Sequence, residues 1–92
     1  MTKVIMNIDP ISGIMYDCMN HAGDSEACVI MSTLTNVLVI ASERAGYPPK
    51  YYESGHVRLD LPAGTSAAET FCSVGEAIEE VARQYPDHIK LY

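Results

Sequence analysis

Val4, Met6 and Ile8 alternate with Lys3, Ile5 and Asn7 at the start of the chain. That period of two predicts a half-buried strand over residues 2–8. Asp9-Pro10-Ile11-Ser12-Gly13 has turn chemistry, because proline fixes φ and glycine permits φ > 0. Alternation resumes over 14–20, with Ile14, Tyr16 and Cys18 on one face and Met15, Asp17 and Met19 on the other, so the two runs predict a hairpin. After Asn20-His21-Ala22-Gly23-Asp24-Ser25 the period changes to a mixture of three and four: Ile30, Leu34, Val37, Leu38 and Ala41. This predicts a helix capped by Asp24 or Ser25 and stopped by Ala45-Gly46, with Pro48-Pro49 beyond. It is apolar on more than one face, which predicts cover from the sheet and from a second element. Val37-Leu38-Val39-Ile40 alone has strand composition; the caps and the length favour helix.

Two short strands are expected over 50–53 and 56–61, joined at Ser54-Gly55, with Val57, Leu59 and Leu61 on one face and Arg58 and Asp60 on the other. Ser66-Ala67-Ala68-Glu69 reads as a capping box. It opens a second helix with Phe71, Val74, Gly75, Ile78, Ala82 and Tyr85 on its apolar stripe, and Pro86 ends it. Residues 89–92 suffice for a last edge strand. The order β-β-α-β-β-α-β predicts an α+β fold, two helices packed on a mostly antiparallel sheet.

Composition limits the function classes. Ninety-two residues make one domain, 1–92, able to bury about 60–65% of its unfolded surface. Six basic and twelve acidic residues give a net charge of −6, which argues against a nucleic-acid partner or an anionic membrane surface and suits a basic protein partner. No apolar run approaches the length of a membrane span; the longest uncharged stretch, Ala27 to Ser42, is interrupted by Ser32, Thr33, Thr35 and Asn36. Three cysteines without a secretory pattern point to free thiols in a cytoplasmic setting.

Cys28 and His21 carry the chemistry. Cys28 falls in the first turns of the first helix, whose positive end favours a thiolate, and His21 lies close before it. A cysteine at a helix start beside a histidine suits nucleophilic acyl transfer, against which stands the negative charge of Glu26. The bland alternative is a packed cysteine and a solvated loop histidine. A zinc site of Cys18, His21 and Cys28 with His56, Cys72 or His88 has unusual spacing, and no metal or cofactor is expected. Cys18 and Cys72 read as core, His56 and His88 as solvated surface. Tyr47, Pro48, Pro49, Tyr51 and Tyr52 form an aromatic-proline patch that either lines a groove for an extended peptide or packs locally. Glu76, Glu79 and Glu80 make an acidic helix face, either simply solvated or a guide for a basic substrate.

His21-Ala22-Gly23, followed by Cys28 and then Ser32, resembles the ribosomal-processing cysteine protease (Prp) family, in which a His-Ala-Gly segment ends the second strand and a Cys-x-x-x-Ser segment opens the first helix. Like segments continue at Gly46-Tyr47-Pro48-Pro49, at Gly55-His56-Val57-Arg58-Leu59-Asp60-Leu61-Pro62 and at Tyr85-Pro86-Asp87-His88-Ile89-Lys90-Leu91. The resemblance implies a small homodimeric cysteine peptidase with Cys28 as nucleophile and His21 as general base. Ser32, one helical turn from Cys28, is expected at the wall of the substrate site, with Asp24 and Gly23 beside it. Family members cleave the N-terminal extension of a large-subunit ribosomal protein, and phage relatives are associated with processing of virion proteins. Asn20 stands where the family usually has glycine, and the loop from Ala22 to Ala27 is shorter than the family's. The alternative is a catalytically inactive binding or assembly module of the same fold.

Overall fold

The structure is a computed structural model that describes residues 1–19, 25–53 and 55–92. Among them the order is β1 (Thr2–Asp9), β2 (Gly13–Met19), α1 (Glu26–Arg44), β3 (Tyr51–Glu53), β4 (His56–Leu61), α2 (Ala68–Gln84) and β5 (Ile89–Leu91). The sheet order is β3-β4-β2-β1-β5. Three pairings are antiparallel, and β5 joins the edge of β1 in parallel through Thr2↔Ile89 and Val4↔Leu91. The α+β fold is therefore as expected, on a mixed sheet.

The β1–β2 hairpin is fixed by its turn. Asp9 Oδ1 accepts from the amides of Ile11 (2.7 Å) and Ser12 (3.3 Å), a side-chain mimic of a backbone turn. These amide bonds hold the Asp9 carboxyl below its ordinary pKa. Gly13 has φ +105°, and a Cβ there would lie 2.3 Å from the Leu61 carbonyl oxygen. Only glycine lets β2 begin so close to the end of β4.

Alternation along the strands gives the sheet a covered and an open face. Val4, Ile14, Tyr16, Cys18, Leu59, Leu61 and Ile89 are buried against Met31 and Leu38 of α1 and Phe71 and Ile78 of α2. Tyr16 donates to or accepts from Thr35 Oγ1 at 2.7 Å, so the buried hydroxyls of strand and helix satisfy each other; burial pushes the Tyr16 phenol pKa well up. The opposite face carries Asp17, its side chain only 11% exposed, between His56 Nε2 (2.7 Å) and Arg58 Nη1 (3.6 Å). Arg58 also holds Asp60, and the Tyr51 ring stacks on His56 at 5.0 Å. His56 is thus not the freely solvated residue expected: its parity with Arg58 on β4 sets it beside Asp17 across the sheet.

The ends of α1 follow the sequence signals. Ser25 is the N-cap, with φ −134° and ψ 164°; Asp24, the other cap candidate, lies outside the described residues. At the C-terminus the Gly46 amide donates to the Glu43 carbonyl (3.0 Å) and the Tyr47 amide to that of Ser42 (2.9 Å). Gly46 has φ +95°, which closes a Schellman motif. The Ser42 hydroxyl donates to the Tyr47 carbonyl as well.

Two expectations fail on local geometry. Ser66 and Glu69 form no capping box: α2 opens after Ala67, which makes no side-chain cap bond, and Thr65 takes the role one residue earlier. Its Oγ1 accepts from the Ala67 amide (3.3 Å) and its carbonyl from that of Ala68 (3.2 Å). Cys72 is exposed rather than core, because Phe71 and Ile78 fix the inward face and the next position along the chain rotates away from it. The first helix, α1, does have the expected cover from the sheet and from a second element, α2, and part of its surface stays open. Its buried residues run from Ala27 to Ser42, while Val29 is 59% and Ile40 51% exposed. By length and composition alone α1 would also pass as a membrane span, with mean hydropathy 1.3 over its most apolar window. The interspersed serines and threonines lower that value without cancelling it. A core helix meets the same criterion, and Met31 and Leu38 are fully buried within the domain.

Candidate functional site

Cys28 is the third residue of α1. Its amide donates to Ser25 Oγ at 3.2 Å and the Val29 amide to the Ser25 carbonyl at 3.0 Å. The cap therefore locks the first turn, and with it the backbone of Cys28, at the positive end of a 19-residue helix. The residue is buried, at 5% exposure. Its sulfur sits over the start of β1, 3.8 Å from Thr2 Oγ1. Cys18 on β2 lies close enough for the charge of one thiol to be felt by the other. Burial raises the Cys18 thiol above its ordinary pKa, with that charge a smaller contribution. This keeps Cys18 a neutral, packing thiol, as the sequence suggests.

One helical turn beyond Cys28, Ser32 reaches a cavity of about 160 Å³ between α1 and the β3–β4 hairpin. Cys18 and Thr35 line it with Ser32 on the core side; Asn36, Tyr52, Glu53 and Val57 complete its wall, with Gly55 and His56 at the hairpin turn. The Tyr52 hydroxyl donates to Asn36 Oδ1 at 3.3 Å and bridges hairpin to helix. A wider surface groove of about 510 Å³ continues past that bridge along Asn36, Val39, Ile40, Pro49 and Tyr52. The aromatic-proline patch is thus open surface beside a groove: Tyr47, Tyr51 and Tyr52 are 38%, 49% and 60% exposed. The cavity and the groove share Asn36 and Tyr52, and their walls offer hydroxyl, amide and carboxylate groups beside Tyr52, Val39, Ile40 and Pro49, a mixture that suits an extended peptide.

The structure brings Cys28 and Ser32 to one side of the domain, at the helix start and the cavity wall. His21, Gly23 and Asp24 lie outside the described residues. Among the described residues no group of three or more His, Cys, Asp and Glu is placed to hold a metal ion. The zinc reading also loses three of its fourth ligands: His56 is engaged by Asp17 on the open face of the sheet, Cys72 is exposed on α2, and His88 is exposed after it. Sequence reasoning missed Thr2 and the Tyr52–Asn36 bridge. For Thr2 the signal was available, since it shares its face of β1 with Val4 and Met6. For Tyr52 it was not, since the bridge depends on how the hairpin leans on α1.

No protein-family model matches this sequence, and no curated protein matches it. Solved structures do. The chain is similar to an essential ribosomal processing protease, Prp, from S. aureus in complex with a substrate peptide: the TM-score is 0.77 at 16% identity, over 100% of this chain and 98% of that one. The same protease with a covalently linked product peptide gives a TM-score of 0.79 at 17% identity, over 99% and 97%. SMU.848 from Streptococcus mutans gives 0.76 at 21% identity, over 99% and 91%. The chain therefore has, from end to end, the fold of these ribosomal processing protease structures.

Proposed function

We propose that the protein is a cysteine peptidase that cleaves a specific, basic protein substrate. The observation that carries this reading is Cys28, held by the Ser25 cap at the positive end of α1, one helical turn from Ser32 at the cavity wall. The whole-chain likeness to a protease solved with its substrate peptide supports it. In the reaction Cys28 Sγ bonds to the scissile carbonyl carbon as its proton passes to the His21 imidazole. The resulting oxyanion is met by backbone amides. The Cys28 amide is committed to the cap, so the first-turn amides of Glu26 and Ala27 come next in line. The C–N bond then breaks, the amine takes the proton from His21, and water attacks the thioester with His21 again as base. Acid is released and the thiol restored.

Ser32 belongs to the wall that receives substrate, and Gly23 and Asp24 are the further substrate-binding residues. The protein acts in the cytoplasm. The net charge of −6 favours encounter with a cationic chain. The substrates meant are the N-terminal extension of a large-subunit ribosomal protein or, for a phage-encoded enzyme, a virion protein. A second copy of the chain fits the exposed Val29 and Val37 on α1. This face carries no charge between Glu26 and Glu43, and an antiparallel partner would set Glu26 against Arg44.

The test is digestion of a large-subunit ribosomal protein that keeps its N-terminal extension, and separately of a virion protein, with new termini read by mass spectrometry. One cut in one of them is expected. Intact substrates that nevertheless bind would identify the second reading, an inactive binding module favoured by the short segment between His21 and Cys28.

A further inference from the structure

Thr2 is fully buried, at 1% exposure, in a strand position that leaves its side chain little freedom. Its amide donates to the His88 carbonyl at 2.8 Å and it pairs with Ile89 of β5. The backbone is thereby pinned where β1 and β5 meet, and a β-branched side chain has few rotamers to choose from. From that fixed base Oγ1 points at Cys28 Sγ, 3.8 Å away. A buried hydroxyl needs a hydrogen-bond partner, and among the described residues the sulfur is the partner this one has. While Cys28 is a thiol, either atom can donate. Once Cys28 is a thiolate only the hydroxyl can, and the bond becomes charge-assisted and stronger.

We propose that Thr2 is a positioning residue for the Cys28 thiolate: its hydroxyl donates to Sγ, favours the ionised form and fixes the direction in which the sulfur presents its lone pairs. This rests on the reading of Cys28 as nucleophile. The hydroxyl works against Glu26, whose charge in the same turn disfavours the thiolate; Cys18 on β2 stays neutral, with the buried Tyr16 and Thr35 hydroxyls behind it. Thr2 acts on sulfur rather than on substrate. It therefore sets how much of the enzyme is ready to react and leaves substrate contact to the groove.

The test is the pH dependence of iodoacetamide alkylation at Cys28, followed by peptide mass mapping in the wild type, Thr2→Val and Thr2→Ser, with Cys72 in the same molecules as reference. Valine keeps the shape and removes the donor; serine keeps the donor. In Thr2→Val the Cys28 midpoint is expected to rise by about one pH unit, which is about a tenfold smaller thiolate fraction on the acid side. Thr2→Ser should stay within about a third of a unit of wild type, and the Cys72 profile should not move in either. If Thr2→Val loses its native circular dichroism, Thr2→Ala must show the same rise. An unmoved midpoint in the folded donor-less variant overturns the proposal, as does an equal rise in Thr2→Ser. The outcome is separable from that for the nucleophile, because alkylation is read without any substrate. A shift without cleavage would support Thr2 and contradict the peptidase; cleavage that needs Cys28 with an unmoved midpoint would do the reverse.

Discussion

Cys28→Ala is expected to abolish cleavage, with kcat/KM falling by at least about a thousandfold, while the fold persists. In the proposed reaction the sulfur is the atom of that side chain that bonds to substrate, and no described neighbour can replace it. Cys18 lies in the core with its thiol held neutral by burial. The hydroxyl of Ser32 sits one turn away, at the cavity wall. Removing one buried sulfur leaves the cap intact, because Ser25 Oγ bonds to the Cys28 backbone amide and not to its side chain. Circular dichroism and the melting temperature should therefore change little. Cleavage by Cys28→Ala at the wild-type rate would remove Cys28 from the mechanism.

Phe71→Ala should have the largest effect on stability. Phe71 is fully buried, on the inward face of α2 in the same core as Met31, Leu38 and Leu59. Truncating such a ring loses its transfer free energy and leaves a cavity, about 3–5 kcal/mol in total. A domain of this size has about 5–14 kcal/mol to lose, at roughly 0.05–0.15 kcal/mol per residue. The melting temperature should fall by about 12 °C or more. Cys72→Ala, one residue along and exposed, should stay within about 0.5 kcal/mol of wild type. A loss below about 1 kcal/mol for Phe71→Ala would mean that α2 does not close the core as described.

The contrast between those neighbours shows what the sequence makes legible. Period determined the elements. Alternation in Val4, Met6 and Ile8 and the stripe Phe71, Ile78 gave both strand and helix with the correct inner face, and Gly46 stopped α1 where a left-handed residue was needed. What failed was local competition and cover. Thr65 and Ser66 offer similar cap chemistry, and nothing in the sequence ranks a hydroxyl one residue earlier above the Ser66/Glu69 pair. Cys72 is small and apolar enough for either side of a helix, so composition assigned it to the core while rotation placed it outside. His56 read as surface because the partner that engages it, Asp17, is 39 residues away in sequence and meets it only through strand register. At the site, the cap and Cys28 were legible because both lie within one helical turn of sequence. The approach of Thr2 to Cys28 and the bridge from Tyr52 to Asn36 were not, because β1, the middle of α1 and β3 are brought together only by packing; strand parity showed that Thr2 faces inward, and composition that Tyr52 could line a groove.

If Cys28 is an activated nucleophile, the relative reactivity of the three cysteines reveals it. Native protein is treated at pH 7 with limiting iodoacetamide, and each cysteine is followed by peptide mass mapping. Exposure alone would place Cys72 first, since Cys28 and Cys18 are only 5% and 4% exposed. The expected order is Cys28 ahead of Cys72 by roughly tenfold, as a depressed thiol pKa brings, with Cys18 last. Alkylation of Cys72 first, with Cys28 as slow as Cys18, would mean that Cys28 is not activated.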